Sequence, residues 1–194
     1  MGLPATDAFT GTNGTALQTY SANWTINAGA FDIQSNNVHP NAASVHGMAH
    51  WNADTFLDNQ YAQMTVTAVG TYIGVAVRCA VSAQTGYAFR AEAATIYIQE
   101  WTAGSGATLT SVAYSTQVND VLRLEVVGQT LTAKVNGVVK LSVDDATITS
   151  GLPGIIGFDN AAGTRGDDWE AGNLIITTHQ GLRRAPQRGV MDAR

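Results

Sequence analysis

Period-two alternation runs through this chain almost without interruption, and it constrains the fold more than any other feature. In Tyr72 to Val81, the residues Ile73, Val75, Val77, Cys79 and Val81 fall on one face of an extended strand. In Asp120 to Gly128, Leu122, Leu124 and Val126 oppose Arg123 and Glu125, and in Thr95 to Trp101, Ile96 and Ile98 oppose Tyr97, Gln99 and Trp101. Such half-buried strands belong to antiparallel sheets with one face on a core. Turn chemistry separates the runs. Asn136-Gly137 suits the positive φ angles of a type I′ hairpin, and Gly104-Ser105-Gly106 and Gly128-Gln129 mark further hairpin loops. Roughly twelve to fourteen strands and no convincing helix are expected, which argues an all-β, two-sheet antiparallel jelly-roll sandwich. A helix of three or more turns between residues 60 and 145 would break this reading.

The sandwich is expected to occupy residues 1–178, and residues 179–194 change character. They carry Arg183, Arg184, Arg188 and Arg194 but a single acid, Asp192, and the apolar Leu182, Val190 and Met191 are too sparse for a core. Ordering such a segment costs about 1–2 kcal/mol per residue, so it needs a second surface to lie on. It is expected to be a basic arm that binds a partner through Arg183, Arg184, Arg188, Val190 and Met191, on a neighbouring copy or another subunit.

Composition narrows the function. Charged residues make up 13%, about half the usual share. A net charge of −5 gives no general attraction for nucleic acid. The single cysteine, Cys79, excludes an intrachain disulfide and reads as a small buried hydrophobe. Met1 to Ala5 offers neither the basic nor the apolar region of a secretory signal, and no apolar run is as long as a membrane span. The expected setting is a particle assembled in a host cytoplasm.

The order of segments resembles the concanavalin A-like lectin/glucanase superfamily, its laminin-G-like members included. Asp7-Ala8-Phe9, then Gly11 to Leu17 and Trp24, resembles its opening acidic-aromatic pair, Gly-rich loop and Trp. Gly86 to Arg90 resembles a central strand, and Leu131 to Val139 its Asn-Gly hairpin. Gly151 to Phe158 and Asp167 to Glu170 resemble its closing strands. The resemblance covers residues 3–178 and implies a jelly roll of that kind. The superfamily includes lectins, carbohydrate-binding modules, glycoside hydrolases and adhesive parts of phage particles, so fold alone assigns no function.

Candidate sites follow from residue chemistry. The β-glucanases of that superfamily carry two catalytic carboxylates on one strand, in a pattern resembling Glu-x-Asp-x-x-Glu. None of Glu92, Glu100, Glu125 and Glu170 opens that pattern, because no acid follows any of them two residues later, so no catalytic residue is assigned. Sugars stack on aromatic rings and bond to planar polar groups, which makes Tyr97, Gln99, Trp101, Arg90 and Arg123 the candidate carbohydrate ligands. Trp51 and Trp169 read first as packing residues, while Arg78, Arg90, Glu92, Arg123 and Glu125 lie on polar strand faces, where they could line a groove or form cross-strand ion pairs. His46 and His50 share a strand face about 13 Å apart, too far for one zinc without a bend. Asp159, Asn160, Asp167 and Asp168 offer oxygen ligands for calcium, a frequent ion in the resembled superfamily and the one cofactor considered.

The expectation is a non-enzymatic bacteriophage virion component, such as a head-decoration, head-fibre or tail-adhesion protein. It would be oligomeric, attached to other virion or capsid subunits, and able to meet a cell-surface glycan, with no nucleic acid or membrane partner. The alternative is a free carbohydrate-binding lectin module, and behind it a glycoside hydrolase.

Overall fold

A computed structural model describes residues 3–159 and 163–175. Fifteen strands and one short helix are present among them. One sheet of eight strands runs β13 (Val138–Asp144), β12 (Thr130–Val135), β11 (Val121–Val127), β6 (Gln60–Ala68), β15 (Arg165–Asn173), β4 (Val38–Pro40) and β3 (Phe31–Ile33), with β1 (Ala5–Asp7) also paired to β15. The other, of seven, runs β10 (Ser105–Ala113), β9 (Thr95–Thr102), β8 (Gly86–Ala91), β7 (Tyr72–Cys79), β14 (Leu152–Phe158), β5 (His46–Trp51) and β2 (Trp24–Ala28). The pairings are antiparallel, as the half-buried alternation requires.

The core lies between the sheets and is built from the faces the alternation selects. Leu122, Leu124 and Val126 of β11 and Ile73, Val75 and Val77 of β7 are all fully enclosed. At one end of the core three indoles pack together. Trp24 lies edge-on to Trp51 at 5.3 Å and to Trp169 at 4.7 Å between ring centroids. Asp7 holds this corner, because its carboxylate accepts the Trp24 Nε1–H and the Tyr20 hydroxyl, each at 2.8 Å. The opening Asp–Phe pair and the later Trp are thus one structural unit. Trp51 and Trp169 are packing residues, as read from the sequence.

The expected hairpin is present, with Asn136 and Gly137 at φ 52° and 77° between β12 and β13. A four-residue helix, α1 (Leu17–Tyr20), is the helical element among the described residues. It is a single turn that carries Tyr20 to Asp7 and seats Leu17 in the core, too short to leave a helical period in the sequence.

A correction concerns the end of β7. Arg78 takes φ 52°, a conformation that breaks strict alternation. Cys79 therefore packs with Met48, Ala76 and Trp101 in a separate apolar cluster, and Val81 is 67% exposed instead of sharing the face of Val77. Arg78 itself is 3% exposed and forms no ion pair among the described residues. Its guanidinium donates to the carbonyls of Asp58, Gly128 and Ile148, tying three connections together at one end of the sandwich.

Arg183, Arg184, Arg188, Val190 and Met191, the residues of the expected arm, lie outside the described residues, as does Asn160.

Candidate functional site

The outward face of the seven-stranded sheet is not an ordinary solvated face. Small residues lie on it, with Gly74 and Ala76 on β7 beside Arg90 and Ala88 on β8. Larger groups rise around them: Tyr72, Arg90, Tyr97, Gln99 and Trp101, with His46, Met48, Ile156 and Phe158 from β5 and β14. Trp101 and His46 are rooted on β9 and β5, four strand spacings apart. On a flat sheet their backbones would be at least roughly 19 Å apart. Their ring centroids are 4.9 Å apart, so the sheet curls toward this side into a trough.

The trough has two halves. One is filled by the Trp101 indole, which is 3% exposed and lies over Gly106, where a Cβ would come within 2.8 Å of the ring. The connection between β7 and β8 folds over the same half. Gln84 Nε2 donates to the His46 carbonyl, and Asn27 Nδ2 donates to the carbonyls of Ala80 and Ala83. The other half is open, with Arg90, Glu92, Tyr97, His46 and Phe158 all partly exposed.

In the open half Arg90 is sandwiched between two rings, its guanidinium carbon 4.6 Å from the Tyr72 centroid and 4.4 Å from that of Tyr97. Its NH1 meets Glu92 Oε1 at 3.0 Å, and the Tyr97 hydroxyl donates to Glu92 Oε2 at 3.3 Å. The His46 ring lies tilted against Phe158 at 4.4 Å, and its Nδ1 lies 2.5 Å from the Tyr72 hydroxyl. Burial, and then the Arg90 charge, hold the His46 imidazole below its usual pKa. Burial raises the Tyr72 hydroxyl well above the phenol range.

Hydrogen bonding on this face is incomplete. Arg90 Nε, Gln99 Oε1 and Trp101 Nε1 are buried with no partner among the described residues. A buried polar atom left unpaired costs about 1–3 kcal/mol, so such atoms are rare and point to a missing partner.

Of the five candidate carbohydrate residues, the structure brings Arg90, Tyr97, Gln99 and Trp101 together in the trough. Arg123 stands apart, on the outward face of the eight-stranded sheet, 3.6 Å above the Tyr61 ring and bonded to Glu125 and Gln63. His46, Tyr72 and Phe158 were not singled out as carbohydrate ligands from the sequence, and Glu92 only as a polar strand-face residue that could line a groove. The signal for them is the run of small residues on the polar side of β7 and β8, which makes room for rings.

Of the calcium candidates, Asn160 lies outside the described residues. Asp159 follows β14 of the seven-stranded sheet and accepts from the Ser44 amide, whereas Asp167 and Asp168 sit on β15 of the other sheet. Among the described residues no three His, Cys, Asp or Glu side chains gather as a metal site would require. His39 lies on β4 against Asp32 at 2.9 Å, away from His46 and from His50, which bonds to Asn27.

A cleft of about 470 Å³ opens elsewhere, lined by Leu57, Asp58, Arg78 and Gln129 among others. Its cation is already bound to three carbonyls, so it offers little to a ligand.

No family model and no curated protein matches the chain. Solved structures do. The carbohydrate-binding module CBM66 from Bacillus subtilis superposes with a TM-score of 0.62 at 13% identity, over 78% of this chain and 92% of that one. The apo Crh5 transglycosylase gives 0.60 at 14%, over 90% and 85%. The Ca2+-bound exoplasmic/lumenal domain of VIP36 gives 0.58 at 11%, over 88% and 89%. At such identities the likeness carries the architecture alone. With its two antiparallel sheets and these neighbours, the chain has the fold of a concanavalin A-like jelly-roll sandwich.

Proposed function

We propose that this protein is a non-catalytic carbohydrate-binding module whose ligand lies in the open half of the trough on the seven-stranded sheet. The observation that carries the reading is the coincidence, in the open half of one curved face, of aromatic rings with a donor and an acceptor: Tyr97 and Tyr72 around Arg90, and Glu92 beside it. Sugar rings present apolar faces for stacking and hydroxyls that both donate and accept. The neighbours include both binding modules and a transglycosylase, so the choice against catalysis rests on this chain's own residues. Glu92, the carboxylate at the open half, is ion-paired with Arg90 and receives the Tyr97 hydroxyl, whereas a glycosidic general acid must hold a proton.

The test is binding to a panel of immobilised polysaccharides, with reaction products assayed alongside. Wild type is expected to bind at least one without cleaving it. Arg90→Ala and Tyr97→Ala are expected to lose binding while Arg123→Ala retains it. Binding lost only with Arg123→Ala, or hydrolysis abolished by Glu92→Gln, would overturn the reading. The setting we propose for the module is a bacteriophage particle, on the ground of its 13% charged content. Mass spectrometry of purified particles tests that, and absence of the chain from them contradicts it.

A further inference from the structure

We infer that the trough selects uncharged saccharides and reads adjacent hydroxyls of one sugar through the Arg90–Glu92 pair, discriminating against uronic, sialic and sulfated glycans. The inference rests on the carbohydrate-binding reading above and adds the ligand class. Three observations carry it. The accessible polar groups of the open half are of both kinds: the Arg90 guanidinium donates and the Glu92 carboxylate accepts. A ligand that meets both has to accept and donate. Hydroxyls do both, whereas a carboxylate or sulfate only accepts.

The charges give the second observation. Arg90 is the cation of the open half and Glu92, 3.0 Å away, is its anion. The Glu92 side chain is the more open of the two, at 34% exposure against 15% for Arg90. An approaching anion therefore meets the carboxylate before the guanidinium. The other groups around Arg90 are the rings of Tyr72 and Tyr97, which bring no compensating charge.

The third is geometry. Arg90 and Glu92 present a donor and an acceptor side by side beside the Tyr97 ring, and the Tyr97 hydroxyl reaches Glu92 at 3.3 Å. Two neighbouring hydroxyls on a stacked sugar match that pair, one accepting from Arg90 and the other donating to Glu92.

Calorimetric titration with oligosaccharides of both classes tests this. Neutral probes are gluco-, manno-, galacto- and fructo-oligosaccharides; acidic probes are oligogalacturonate, sialyllactose and heparin fragments. At least one neutral probe is expected to bind, the acidic ones at least tenfold more weakly. Glu92→Gln is expected to weaken the neutral ligand tenfold or more and to narrow the gap to the acidic ones. Tyr97→Phe keeps the ring and removes only its hydroxyl, so it is expected to lose less, and thermal melts check that both variants fold. An acidic probe that binds best, is lost with Arg90→Ala and is unaffected by Glu92→Gln would overturn the inference and leave the carbohydrate reading standing. Failure of every probe of both classes would overturn the carbohydrate reading itself.

Discussion

The outward faces of the two sheets carry the same kinds of side chain and put them to different ends. On the eight-stranded sheet Arg123 lies over Tyr61, Glu125 accepts from both Arg123 and Lys134, and Gln63 and Glu170 complete the lattice through Arg123 and Tyr61. The polar groups of this lattice bond to one another across three adjacent strands, β15, β6 and β11, and on to β12. On the seven-stranded sheet Arg90 again lies over tyrosines beside a glutamate, yet its Nε is unpaired, as are Gln99 Oε1 and Trp101 Nε1. The lattice around Arg123 is satisfied from within, although the same sheet carries buried unpaired atoms at His39 Nε2, Thr67 Oγ1 and Asp167 Oδ1. The surroundings of Arg90 are aromatic and incomplete. Residue type alone does not separate a structural ion-pair lattice from a binding face; the rings and the pairing around each arginine do.

Substitutions sharpen that contrast. The largest effect is expected at Trp101, which packs like a core residue although it stands on an outward face. Trp101→Ala should cost about 3–5 kcal/mol in denaturant unfolding. A cost near that of an exposed residue would mean the trough is not packed. Next come the two glutamines, where one substitution should act with opposite signs. Gln99→Leu removes a buried unpaired acceptor at the expense of one bond to Thr108, and should be neutral or stabilising by about 1 kcal/mol. Gln63→Leu leaves an Arg123 donor without its acceptor and should destabilise by about 1 kcal/mol. The same sign at both sites would erase the distinction between the faces. Smaller still, Glu125→Gln weakens two partly exposed ion pairs and should cost under about 1 kcal/mol, less again in high salt.

The pH dependence is expected to be the smallest effect. His46 and His50 both have imidazole pKa values held below the unfolded value of 6.5, chiefly by burial. The folded protein then binds fewer protons than the unfolded chain once pH falls below about 6.5, so stability should decline from there as acidity rises. His46→Phe should flatten that decline. An unchanged profile would remove the trough histidine from the account.

The alternating runs made the fold legible. Leu122, Leu124 and Val126 could only face inward, and Asn136-Gly137 could only turn. Alternation failed at Arg78, where a positive φ supplied by tertiary contacts to three carbonyls re-aimed Cys79 and Val81, and no local pattern announces that. The trough was half legible. Tyr97, Gln99 and Trp101 lie two residues apart on one strand, so their shared face follows from the period. His46 and Phe158 reach them only because the sheet curls, a property of strand packing rather than of any one segment. Arg123 looked like Arg90 in sequence because both alternate with apolar neighbours and precede a glutamate by two residues; their sheets differ through topology alone.

The four indoles give the most direct test that the trough is the ligand face. Trp24, Trp51 and Trp169 donate their Nε1–H to Asp7, Asp54 and the Gly154 carbonyl, whereas Trp101 Nε1 has no partner. In a 15N-resolved NMR titration with the neutral oligosaccharide that binds most tightly, the Trp101 indole and Arg90 Nε resonances should move together. The other three indoles and the Arg123 Nε signal should stay in place. A titration that shifts Arg123 and leaves Trp101 and Arg90 unmoved would place the ligand on the eight-stranded sheet and contradict the account.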